Sequence, residues 1–142
     1  MLPYMKIGSC TISPIRKLDE LLDNKAIICK WLRKALEKVP ENDLTCILQS
    51  VYEGNTMLWL TRREEEIIGV TTTQVLDHPN ERHLLIELLG GKDIKEWVHL
   101  IADIEAWGKD LGCVKSEIHG RPAWKKLLPE YKSNIIIYNR VL

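Results

Sequence analysis

The sequence predicts an α/β (α+β) fold built on a mixed, mostly antiparallel central sheet with flanking helices. Three observations lead there. Residues 15–52 repeat apolar side chains at helical spacing, residues 56–89 change to strand-type runs broken by polar turns, and the remainder alternates helix and strand patterns. Strands joined by short connections pair antiparallel, whereas strand–helix–strand units require at least one parallel pair. A chain of 142 residues fits one domain, 1–142, with a helical part over 1–53 and a sheet-bearing part over 54–142.

The elements follow in order. Ser13-Pro14 is a helix-start signal, because proline suits a first helical position whose N–H would have no partner anyway. Ile15, Leu18 and Leu22, then Ile28, Trp31, Leu32, Ala35 and Val39, continue the helical face. Asp23-Asn24 splits it into two short helices or bends one, and Pro40 stops it. A further helix is expected over 43–52, ended by Gly54. Residues 56–62 and 67–76 form a hairpin with a charged tip at 62–66, and 82–89 a third strand after the turn Asp77-His78-Pro79-Asn80. Gly90-Gly91 breaks that strand and opens a helix, with Asp93 as cap and Glu96 completing a capping-box-like pair. Ile94, Trp97, Val98, Ile101, Ile104, Gly108 and Leu111 make its apolar stripe, which Gly112 closes. A strand at 114–118, a helix at 122–128 and a last strand at 133–141 complete the expectation.

Composition excludes several function classes. Hydrophobic residues at 45% and charged residues at 28% exclude disorder. Twenty basic and twenty acidic side chains give zero formal charge, so no bulk field favours nucleic acid or an anionic membrane, and neither is expected as a partner. No apolar run reaches the ~20 residues of a membrane helix. The four cysteines (Cys10, Cys29, Cys46, Cys113) show no CxxC and read as reduced thiols of an intracellular protein. His78 and His83 stand five apart, wrong for one helical face, and no cysteine supports them, so no metal is expected. Five tryptophans supply most of the aromatic volume in a chain without Phe, and each buried indole needs an acceptor for its N–H.

Chemistry concentrates at two junctions. In 88–97 (LLGGKDIKEW) a strand gives way to a helix through two glycines, and Lys92 and Lys95 add positive charge. Gly90, Gly91, Lys92 and Asp93 are either a phosphate cradle at a helix start or a plain turn that needs glycine for its dihedrals. In 117–126 (EIHGRPAWKK) a second strand–helix turn should lie at the same sheet edge, the ordinary ligand position of α/β sheets. Glu117 and His119 alternate on the strand, so they share a face as candidate base and orienting partner, and Arg121 suits a phosphate or carboxylate. The alternative is that His119 and Arg121 hold the turn by structural hydrogen bonds. Glu87 is a lone carboxylate in an apolar strand; its flanks Ile86 and Leu88 point away from it, which directs it to a groove or to solvent.

With these residues in view, the second half of the chain resembles the GNAT (Gcn5-related N-acetyltransferase) superfamily. The meander is similar to its central antiparallel strands. Residues 89–97 stand where that family places its pyrophosphate-binding turn and helix, and 114–141 match the half in which two parallel strands splay apart to admit the pantetheine of acyl-CoA. More narrowly, 104–113 (IEAWGKDLGC), 118–124 (IHGRPAW) and 127–131 (LLPEY) look like small GNAT-like proteins of tailed phages. The resemblance implies an acyl-CoA-dependent N-acetyltransferase using acetyl-CoA. Its site residues would be Glu87, Glu117 and His119 for proton transfer and Gly90, Gly91, Lys92, Asp93 and Arg121 for the cofactor. It equally implies an alternative, a catalytically inactive fold serving as a virion- or tail-associated or host-interaction protein, partnered by phage structural proteins or its own copies. Location would be the host cytoplasm or the virion. The chain departs from the family at two places. Residues 88–93 keep glycine but lack the leading Gln or Arg, and 124–131 carry Leu127 and Leu128 near the position of the family's proton-donating Tyr, with Tyr131 beyond as a packing residue.

Overall fold

The computed structural model describes residues 9–119, 124–133 and 136–142. One five-stranded sheet runs in the order β1 (Cys10–Pro14), β2 (Met57–Arg63), β3 (Glu66–Asp77), β4 (Arg82–Gly91), β5 (Cys113–Ile118). Neighbours are antiparallel except β4 and β5, which are parallel, so the expected mixed and mostly antiparallel sheet is present. Helices α1 (Leu18–Asp23), α2 (Lys25–Leu36) and α3 (Leu44–Tyr52) precede β2; α4 (Ile94–Trp97), a 3₁₀ turn at Val98–Leu100 and α5 (Ile101–Asp110) link β4 to β5; α6 is Trp124–Leu127.

The period of the sequence explains most of this. Ile28, Trp31 and Leu32 of α2 and Ile47 of α3 pack with Leu58, Leu60, Val70 and Leu88 of the sheet. Two smaller clusters, one of Trp59, Leu84 and Ile104 and one of Ile86, Val98 and Ile101, join α5 to the sheet. Each buried indole finds an acceptor: Trp31 donates to the Ile67 carbonyl at 3.0 Å, Trp59 to Thr73 Oγ1 at 3.0 Å, and Trp97 to the Lys92 carbonyl at 2.9 Å. Asp43 caps α3 by accepting from the Cys46 N–H at 2.8 Å.

Five expectations change. Ser13-Pro14 ends the edge strand β1, paired with Leu60 and Trp59, and the helix begins only at Leu18. Proline is tolerated there because an edge strand need not donate on its outer side. Gly90 and Gly91 do not break β4; they pair with Val70 and Gly69 inside the ladder. Asp93 does not cap α4: its backbone is left-handed (φ 54°) and its carboxylate, like that of Glu96, binds Arg63. The single helix expected over 93–111 is interrupted by the 3₁₀ turn. For the strand expected at 133–141, residues 133 and 136–141 carry no strand, and Ile136, Ile137 and Tyr138 are exposed.

Gly90 is needed for close approach. A Cβ there would stand 2.3 Å from the Trp31 carbonyl oxygen and 3.0 Å from Ala35 Cβ, so α2 lies directly on the strand backbone. Gly90→Ala therefore pushes α2 off the sheet. The expected cost is about 2–3 kcal/mol, the upper part of the range for overpacked cores. For a chain of this length that lowers Tm by roughly 10 °C, measurable by thermal unfolding. An unchanged Tm would show that α2 does not press on this backbone.

Candidate functional site

The site is built where β4 and β5 part. Their parallel pairing runs from Arg82 with Cys113 to Ile86 with Ile118, and β5 ends there, while β4 continues to Gly91. Past Ile86 the outer edge of β4 therefore has no strand partner among the described residues. A cleft of about 650 Å³ occupies this split. It lies between β4 from Leu85 to Gly91, the end of α2 and the segment after it (Lys34, Lys38, Asn42), the end of β5 (Ile118, His119) and Trp124 of α6.

A bulge aims the carboxylate of Glu87 into it. On β3 the consecutive residues Thr72 and Thr73 face Leu88 and Ile86, so Glu87 has no opposite partner. The bulge leaves the Leu88 N–H to the Thr72 hydroxyl at 3.1 Å. It also resets the alternation of the strand: Ile86 packs toward α5, but Leu88 packs toward α2. This corrects the expectation that both flanks point away from Glu87 to one common face. Glu87 lines the cleft, half-buried, and accepts from Gln74 Nε2 at 2.6 Å. Burial pushes its carboxyl above the usual carboxylate range; the Gln74 bond and the charge of His119 act more weakly in the opposite sense.

The other candidates are placed differently. His119 also lines the cleft, 64% exposed, with Nε2 3.8 Å from Glu117 Oε2. Glu117 makes its short bond elsewhere, from Oε1 to His83 Nδ1, and does not line the cleft. Arg121 lies outside the described residues. Gly90 and Gly91 form the far wall of the cleft. Both are glycine for packing, since a Cβ on Gly91 would stand 2.3 Å from the Ile68 carbonyl oxygen. The Lys92 N–H donates to that same oxygen at 2.9 Å, and its ammonium is held by Glu66 at 2.5 Å on the β2–β3 hairpin. The cation at this turn is instead Lys34, whose Nζ donates to the Gly91 carbonyl at 2.9 Å.

Tyr131 is no acid for the cleft. Its hydroxyl donates to Glu105 Oε2 at 2.8 Å and accepts from the Ser116 hydroxyl at 2.6 Å, and burial holds its ionisation above the ordinary tyrosine range. Two residues at or near the site escape sequence reasoning: Lys34 and Gln74. Lys34 sits one residue before Ala35 of the helical stripe, and Gln74 lies mid-strand among apolar residues. Neither has a local signal for its role, because their partners are distant in sequence.

No protein-family model and no curated protein matches the chain. Solved structures do. A GNAT family acetyltransferase from Staphylococcus aureus superposes with TM-score 0.70 at 18% identity, over 94% of this chain and 99% of that one. An aminoglycoside N-acetyltransferase in complex with CoA gives 0.68 at 16%, over 99% of both chains. A ribosomal-protein-alanine N-acetyltransferase from Brucella melitensis gives 0.64 at 10%, over 92% and 100%. At these identities the likeness establishes the fold: the five-stranded sheet with its flanking helices is the GNAT acyltransferase fold.

Proposed function

We propose that this chain is an acyl-CoA-dependent N-acyltransferase that takes acetyl-CoA and acetylates an amine, with Glu87 as the proton acceptor. The observation that carries the proposal is the cleft opened where β4 outruns β5, with the bulged Glu87 carboxylate in its wall. A free strand edge offers backbone groups to an extended chain, which suits the amides of pantetheine. Lys34 and Lys38 then meet the phosphates at the α2 side of the cleft, a role that the resemblance implied for Gly90, Gly91, Lys92, Asp93 and Arg121. The amine nitrogen attacks the thioester carbonyl, Glu87 takes the amine proton directly or through one water, and CoA departs as a thiolate that picks up a proton from solvent. A half-buried carboxylate with a raised pKa is a stronger base than an exposed one, and Gln74 fixes its orientation.

Titration calorimetry with acetyl-CoA tests the binding half. Saturable heat at one equivalent is expected, weakened by Lys34→Ala; no heat at millimolar ligand would end the proposal. An aminoglycoside and an alanine-bearing ribosomal protein, the acceptors named for two of the structural neighbours, are the first amines to assay for CoA release.

A second reading is a phage-type protein of this fold that acts by contact, in the host cytoplasm or on the virion, without turnover. It is favoured by the exposed Ile136, Ile137, Tyr138 and Val141, and by the turn at Lys92 and Asp93, whose charged groups are already paired with Glu66 and Arg63. Sedimentation of the purified chain as a monomer alone, together with acetyl-CoA binding, would remove it.

A further inference from the structure

Away from the cleft, two histidines and a carboxylate converge at the other end of β4. The β3–β4 turn is pinned: the His78 N–H donates to the Glu81 carbonyl at 3.0 Å, and Arg82 binds Asp77 at 2.6 Å and the Leu111 carbonyl at 2.6 Å. This turn folds His78 back over His83, with ring centroids 4.5 Å apart. Five-residue spacing, wrong for a helix face, is thus compatible with one site across a hairpin. Glu117 reaches the same place from the parallel strand β5. Donor atoms of His78, His83 and Glu117 lie within 4.8 Å of one another.

The bonds of His83 make this more than proximity. Its side chain is 12% exposed and stands between two carboxylates, with Nε2 2.6 Å from Glu81 Oε1 and Nδ1 2.5 Å from Glu117 Oε1. A neutral imidazole has one N–H, so one of these contacts would set lone pair against lone pair. A cation must sit in one of them, either a second proton or a metal ion. We propose that His78, His83 and Glu117 form a binding site for a divalent transition-metal ion of the zinc class, which clamps the β3–β4 turn to β5.

The donor set fits that class. Two imidazoles with one carboxylate suit zinc and its neighbours better than magnesium or calcium, which prefer all-oxygen shells. The ion takes the Nδ1 side, where Glu117 is, with a donor of His78 within 4.8 Å of the other two ligands. Nε2 keeps its hydrogen and donates it to Glu81, which Lys115 holds at 3.1 Å. A carboxylate behind a metal-binding imidazole fixes the ring and raises its basicity. Tetrahedral zinc with bonds of about 2.0–2.2 Å spaces its ligands about 3.3 Å apart, so the Glu117 carboxylate withdraws by roughly 1 Å from its present contact. Solvent takes the fourth position, as His78 is exposed. Glu117 immediately precedes Ile118, the last residue of β5 paired with β4, so the ion would anchor β5 just before the strands part.

The test is calorimetric titration of zinc chloride into the metal-stripped full chain, repeated with His78→Ala and Glu117→Gln. One equivalent of zinc is expected, with a Tm rise on saturation, and each variant should bind about tenfold or more weakly. His78 is exposed, so its variant keeps the metal-free Tm; if it does not, Glu117→Gln decides alone. Cobalt then reports the donors, since tetrahedral nitrogen–oxygen ligation lacks the near-ultraviolet thiolate band. Absence of heat, undiminished binding by a folded variant, or a thiolate band pointing to Cys10, Cys46 or Cys113 would overturn the proposal.

Discussion

Replacing Glu87 by glutamine leaves the fold and acetyl-CoA binding in place and lowers kcat by about 10²- to 10⁴-fold, the worth of a positioned general base. The change is nearly isosteric. The glutamine side-chain oxygen still accepts from Gln74 Nε2, now 2.6 Å from Glu87, so the bulge and its bond survive. What disappears is the charge that receives the proton. The pH profile separates this from a structural effect. Burial raises the pKa of Glu87, so kcat/KM with the parent chain should rise with pH through a carboxylate ionising above its usual value. The glutamine variant should lack that limb. Stability moves the other way. Folded protein holds the Glu87 proton to higher pH than unfolded chain does, so stability from this group falls as pH rises from the usual carboxylate range through the raised value. The variant should escape this loss and be no less stable at neutral pH. Undiminished turnover by Glu87→Gln would dismiss Glu87 as the base.

The largest expected loss of stability comes from Trp97→Ala. Trp97 is 0% exposed, and its indole lies so close over Gly69 that a Cβ there would stand 2.4 Å from Cζ2. Its N–H holds the Lys92 carbonyl at 2.9 Å, tying α4 to the turn that ends β4. Alanine leaves a cavity the size of an indole between α4 and the sheet and strands that carbonyl. Large-to-small changes of this kind cost about 3–5 kcal/mol. Denaturant unfolding should show this as a lower midpoint with unchanged slope, and acetyl-CoA binding should weaken as the turn loosens. A loss below about 1 kcal/mol would show that the turn does not depend on this residue.

Much of the fold was legible because burial repeats at a local period. The α2 stripe of Ile28, Trp31 and Leu32, the capped α3, the three-stranded meander and the helix after β4 all follow from which side chains must leave water. The structure departs from the local pattern where two local rules compete. Ser13-Pro14 suits a helix start and an edge strand alike, and only pairing with β2 decides. Gly90-Gly91 suits a breaker and a close-packed strand end alike, and only the backbone of α2 above Gly90 decides.

At the site the division is sharper. Sequence singled out Glu87, Glu117 and His119 as chemically unusual, because a charged group in an apolar strand or beside a glycine turn stands out locally. It could not tell which of them meet. The bulge at Glu87, the diversion of Lys92 to Glu66, the arrival of Lys34 at Gly91 and the bond of Glu117 to His83 join residues 13 to 57 positions apart. Strand register and helix seating set those encounters. Sequence by itself determined most of the helices and the three-stranded meander, since period and hydrophobicity act over a few neighbouring residues, while the acyltransferase-type architecture was implied by resemblance alone. The tertiary structure alone decided which carboxylate enters the cleft and which is locked to a histidine, since a one-residue shift at a bulge turns a side chain to the other face of the sheet while barely altering the local pattern.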